Sequence, residues 1–171
     1  MEATFRTLAL ATATVWLAAP AAAQMKHAPQ VSKGFQRLST LAGTWEGQTS
    51  DGKTMQVSYQ VVSNGTALME RLAMAGEAEM VTLYSSDGPR VAVTHYCSSG
   101  NQPQMSTGPI TSDLKEFSFS FVRATNLASP EDGHMHHLTL TLEDASHLAQ
   151  QWTWMDHGKA HTETFKFTRK G

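Results

Sequence analysis

The chain has 171 residues, a formal net charge of −2, 40% hydrophobic residues and 16% charged ones. Such a length suits one well-buried core, and the scattered Lys and Arg form no basic stripe of the kind that neutralises phosphates, which argues against nucleic acid as a partner. The single cysteine, Cys97, excludes an intrachain disulfide, so the core has to hold the fold and Cys97 is either buried and inert or a functional thiol.

Residues 1–23 place Arg6 ahead of the apolar run from Leu8 to Ala19 and end in Ala21-Ala22-Ala23. That is the pattern of a cleavable signal peptide, and the apolar stretch is short for a membrane span. The expected product is a periplasmic or secreted protein with no membrane attachment after processing. Residues 24–34 are polar, contain Pro29 and read as a loose arm. Ser32 is placed to cap a short helix in which Phe35, Leu38 and Leu41 recur at helical spacing. The folded domain is expected over 35–171.

From Gly43 onward the period changes to two. Met55, Val57, Tyr59 and Val61 alternate with polar residues, as do Phe117, Phe119 and Phe121, then Leu138, Leu140 and Leu142, and finally Phe165 and Phe167. Turn signals such as Asn64-Gly65, Asp87-Gly88, Asp132-Gly133 and His157-Gly158 recur about every ten residues. The pattern predicts about ten strands, near 43–49, 53–62, 66–74, 78–85, 90–97, 102–108, 114–122, 134–142, 147–155 and 160–169. No helical period of useful length interrupts them, which disfavours a parallel βαβ arrangement. An antiparallel meander with one apolar face closes most simply as a barrel, which also removes its edges; a two-sheet sandwich is the alternative. The fold class is therefore all-β, an antiparallel meander of about ten strands closed as a lipocalin-like barrel, with the short helix capping one end.

The segment Gly43-Thr44-Trp45 resembles the opening of lipocalin-like proteins, where a Gly-x-Trp begins the first strand and its indole plugs the barrel end. The run from His95 to Met105, with Trp152-Thr153-Trp154 and the closing Phe165-Lys166-Phe167-Thr168-Arg169, resembles an uncharacterised family of exported bacterial calycin-like proteins. That resemblance spans residue 35 to the end and implies a fold, not an activity. Gly43, Trp45 and Gly47 also match the opening of the haem-binding nitrobindin family, although Thr49 stands where that family has another Gly. The nitrobindin resemblance implies a haem-ligating His near the C-terminus, for which His161 is the counterpart.

Parity assigns the polar groups that share the apolar face. His95 and Cys97 lie with Val91 and Val93, His136 with Leu138, Glu70 with Leu68 and Leu72, and Gln150 with Leu148, Trp152 and Trp154. Burying such groups without partners costs about 1–3 kcal/mol each, so they bond one another, water or a ligand. One reading is a satisfied internal network that fixes register. The other is a pocket for a small, largely apolar molecule, with Glu70, His95, Cys97, His136 and Gln150 as polar contacts and Trp152 and Trp154 as wall. Asn101 and Gln102, in the turn before Pro103, add candidate contacts at the mouth. His134 and His136 share a face and with His95 and Glu70 make a candidate zinc or copper set. No cofactor is assigned beyond these haem and metal alternatives. No nucleophile elbow, phosphate loop or paired acidic motif is present, and His95 with Cys97 lacks the third, orienting group of a thiol enzyme, so no catalytic residues are assigned.

Overall fold

A computed structural model describes residues 30–49 and 52–171. The leader expected over 1–23 and most of the expected arm lie outside the described residues. Helix α1 (Lys33–Ser39) comes first, and ten strands follow: β1 (Gly43–Gln48), β2 (Thr54–Val62), β3 (Ala67–Met74), β4 (Met80–Asp87), β5 (Arg90–Tyr96), β6 (Gln102–Ser106), β7 (Glu116–Thr125), β8 (His134–Leu142), β9 (His147–Asp156) and β10 (Lys159–Arg169). Every strand pairs antiparallel with its neighbours in sequence, and β1 pairs with β10, so the sheet closes into a barrel. The alternation of apolar residues is thereby satisfied on one inner surface with no free edge. Tight turns make the meander possible. At the β9–β10 hairpin Asp156 pairs with Lys159, and both turn residues, His157 and Gly158, have positive φ, as a two-residue turn with the strand twist requires.

The helix begins at Lys33 because Ser32 accepts the Phe35 amide at 3.1 Å. This places residues 33 and 34 in the folded unit rather than in the arm. Gly34 lies so close to the barrel that a Cβ there would come within 2.7 Å of Ile110. Phe35, Leu38 and Leu41 are buried. Trp45 completes this end. Its indole is 1% exposed, donates to the Leu41 carbonyl at 2.9 Å, and carries the Arg169 guanidinium 4.1 Å from its ring centre. Arg169 also donates to the carbonyls of Thr40, Ala42 and Ala145, which ties the last strand to the helix and to the β8–β9 turn. Phe117, Phe119, Leu138, Leu140 and Phe167 are buried in the barrel interior. Two irregularities interrupt the ladders, one between Gln104 and Met105 opposite β7 and one between Met135 and His137 opposite β9. The second matters for the site.

Candidate functional site

The opposite half of the barrel is not filled. A cavity of about 280 Å³ opens at the mouth formed by the ends of β3, β5 and β9 and the starts of β4, β8 and β10. Its walls are Leu72, Met74, Met80, Met135, Trp152, Trp154 and Phe165, its floor includes His95, and Cys97, Ser98 and Ser99 border it on the β5–β6 turn. Glu77, His161 and Glu163 stand at its exposed rim. Strand register explains the set. Trp152 faces Glu163 and Trp154 faces His161 across the β9–β10 ladder, so two strands present two aromatic and two polar side chains to one space.

Beneath the cavity lies a polar layer, also set by register. Tyr59 pairs with Glu70, Glu70 with Thr82, and Thr82 with His95, so four neighbouring strands each contribute one inward polar side chain at the same height. Gln150 reaches this layer from β9, donating to the Tyr59 hydroxyl at 2.6 Å and accepting from the Trp152 indole at 2.9 Å. Tyr84 donates to Glu70 Oε2 at 2.7 Å, while Glu70 Oε1 has no partner within hydrogen-bonding geometry. Burial raises the Glu70 carboxyl above the usual range, opposed by Tyr84, Tyr59 and Gln150, which favour its charged form. The Tyr59 and Tyr84 hydroxyls are raised well above the ordinary tyrosine value, first by burial and then by the Glu70 charge.

His95 is the point where layer and cavity meet. It is 1% exposed, its Nδ1 lies 2.8 Å from the Thr82 hydroxyl, and its ring packs 4.7 Å from that of Trp152. Its Nε2 has no hydrogen-bond partner. Burial pushes the imidazole down to about 4, so the ring is neutral at physiological pH. A neutral imidazole with Nδ1 engaged leaves Nε2 to give or take one hydrogen bond, according to the tautomer that Thr82 selects.

Of the residues expected from sequence, His95, Cys97, Trp152, Trp154 and His161 line the cavity, while Glu70 and Gln150 lie in the layer below it. His136 does not join them. The bulge at Met135 and His137 shifts the register of β8, so that Met135 faces Trp154 and lines the cavity, while the His136 ring stacks 4.8 Å from Phe121 and its Nδ1 lies 3.2 Å from His134 Nε2. Burial, then the charges of His134 and His137, lower the basicity of His136. His134 is buried, with Nδ1 2.7 Å from the Asp132 carbonyl. Among the described residues no three His, Cys, Asp or Glu side chains gather as a metal site needs, so the set of His95, His134 and His136 is not assembled. Asn101 and Gln102 act in the scaffold. Asn101 donates to the Gly133 carbonyl at 2.8 Å, and Gln102 binds Gly100 and Thr125. Gly133 in turn underlies Trp154, whose ring occupies the space that a Cβ would need.

The nitrobindin resemblance makes haem a question for this mouth. His161 does stand on the rim, but it has no hydrogen-bond partner among the described residues to orient its imidazole, as metal-binding histidines usually have. The cavity, about 280 Å³, is at the bottom of the range for small-molecule sites, and a macrocycle as broad as haem would project from it. The residues present do not fit a haem centre.

Tyr84 and Thr82 are absent from the residues expected to form the site, yet Met80, Thr82 and Tyr84 alternate in sequence as plainly as the strands that were read by parity. Met135 carries no such signal, because only the bulge turns it inward.

No protein-family model matches the chain, and no curated protein matches it. Solved structures do. The chain is similar to the crystal structure of Rv2717c from M. tuberculosis, with a TM-score of 0.60 at 10% identity, covering 83% of this chain and 100% of that one. It is also similar to a protein of unknown function from the DUF3598 family of Nostoc punctiforme, with a TM-score of 0.52 at 14% identity, covering 87% of this chain and 53% of that longer one. At such identities the likeness is one of fold, and it sets this chain among ten-stranded closed barrels.

Proposed function

We propose that the protein binds a small, largely apolar molecule in the open half of its barrel, with the neutral His95 as the polar contact at the bottom. One observation carries this reading. His95 Nε2 is a buried polar atom without a partner, on a ring that floors an apolar cavity. An unmet group of this kind costs about 1–3 kcal/mol in a closed core, and a ligand with one hydrogen-bonding group removes that cost. The hydrogen-bonded network below the cavity gives the floor rigidity, since Trp152 is held by Gln150 and Gln150 also binds Tyr59. On this reading the chain is a calycin-like binding protein, and its leader places it in the periplasm or outside the cell, which cell fractionation checks.

The test is a thermal-shift screen of small aromatic and aliphatic compounds on the purified protein. A ligand present at about 100 times its Kd stabilises by about 2.7 kcal/mol, which shifts the melting temperature by several degrees. The shift is expected to shrink in His95→Ala and Trp154→Ala. A screen without hits, together with native mass spectra free of co-purified small molecules, would reject the reading. A strong visible absorption band after addition of haemin, lost in His161→Ala, would replace it with haem binding.

A further inference from the structure

We propose, building on the pocket reading above, that the mouth selects molecules carrying a positive charge on an apolar body, such as small aromatic or alkyl amines. The charge pattern is one-sided. Glu77 and Glu163 both line the mouth, and no Lys or Arg does. Neither carboxylate has an ion-pair partner among the described residues, and Arg71 of β3 is held by Glu79 at 2.6 Å. The two acids come from separate elements, Glu77 from the β3–β4 turn and Glu163 from β10, and meet only at this opening.

The remaining lining is electron-rich. Trp152, Trp154, Met74, Met80 and Met135 line the cavity, and the imidazole of His95 is uncharged. Aromatic faces attract cations, most strongly where water is excluded. The unpartnered Nε2 of His95 independently marks the cavity as a place for a ligand, and with Nδ1–H turned toward Thr82 it accepts a hydrogen bond from an ammonium or hydroxyl group. Charge at the rim, aromatic faces on the wall and one acceptor at the bottom together describe a cationic amphiphile short enough for a cavity of about 280 Å³.

The experiment compares phenethylamine, phenethyl alcohol and phenylacetate by calorimetry at low salt and about pH 8, where free histidines are ordinarily neutral. The amine is expected to bind about fivefold more tightly than the alcohol, and the acid more weakly than either. In the double variant Glu77→Gln, Glu163→Gln the advantage of the amine over the alcohol should fall to within about twofold. Equal binding of amine and alcohol, or an advantage that survives the double variant, overturns the charge selection and leaves the pocket intact. Failure of all three to bind overturns both.

Discussion

Replacing His95 by Gln removes the one titrating group on the cavity floor while keeping a polar side chain beside Thr82. Burial holds this imidazole at about 4, against 6.5 for an unperturbed histidine. The unfolded chain therefore takes up a proton as the pH falls below about 6.5, and the folded protein does not until about pH 4. Because the folded-state value is the lower one, stability rises with pH across that window and is flat outside it. At about 1.4 kcal/mol per unit, the loss between pH 7 and pH 4 is about 3 kcal/mol. Glu70 acts in the opposite sense. Its raised carboxyl keeps a proton that the unfolded chain has already released, so its contribution is present at low pH and fades as the pH climbs above 4.5. The wild-type profile alone mixes the two, whereas the difference between wild type and His95→Gln isolates the histidine. Urea unfolding followed by tryptophan fluorescence at pH 7 and pH 4 measures it, with Trp152 as a probe 4.7 Å from the ring. The wild-type advantage should shrink by about 3 kcal/mol on acidification. A difference that does not change with pH, or that grows as the pH falls, would refute a neutral, buried His95.

Three further substitutions probe the layer, the rim and the seam. Tyr84→Phe removes the hydrogen bond to Glu70 Oε2 and leaves a buried carboxyl with neither oxygen bonded, so equilibrium unfolding should register a loss of about 2 kcal/mol and Glu70 should titrate still higher. Gly133→Ala pushes the Trp154 ring off its seat, and about 1–3 kcal/mol of overpacking cost should accompany a changed near-UV circular dichroism and weaker ligand binding. Gly47→Ala sets a Cβ against the Lys166 backbone carbonyl, which cannot move without parting β1 from β10. The expected cost exceeds about 2 kcal/mol, and faster amide exchange confined at first to β1 and β10 would identify the seam as the site of damage.

The strands were legible because their signal is repeated. A single apolar residue at Val57 or Leu138 says little, but alternation over a whole segment fixes which side chains share a face, and all ten predicted segments coincide with observed strands to within a few residues. The same rule placed Glu70, His95 and Gln150 inside. It failed at His136, because one extra residue in β8 resets parity and nothing in His134-Met135-His136-His137 announces the bulge. Register across strands was equally hidden. That Tyr59, Glu70, Thr82 and His95 form one level depends on hairpin turns whose lengths set which residues face each other, and a list of inward residues does not contain their heights. Whether the interior is full or hollow was unreadable for the same reason: the helix-side half and the open half carry similar alternations, and only their packing differs.

The polar layer bears on both interior readings posed by the sequence. A network that serves only to fix register has every member satisfied, since each unmet group works against the specificity it supplies. Most members here are satisfied, as Gln150, Tyr59 and Tyr84 show. Two atoms of the layer are not, and they sit differently. Glu70 Oε1 belongs to a carboxyl on which Tyr84, Tyr59 and Gln150 act together, so it lies among polar neighbours. His95 Nε2 has no hydrogen-bond partner and belongs to a ring that lines the cavity. On the pocket reading one layer has two jobs, holding the register of four strands and supplying His95 as the hydrogen-bonding group beside the cavity. His95→Phe separates them. It fills the floor and removes the unmet nitrogen but leaves the buried Thr82 hydroxyl without its partner, so ligand binding should be lost while unfolding free energy at neutral pH falls by no more than about 3 kcal/mol. Ligand binding that survives His95→Phe unchanged would show that the free nitrogen is not the contact.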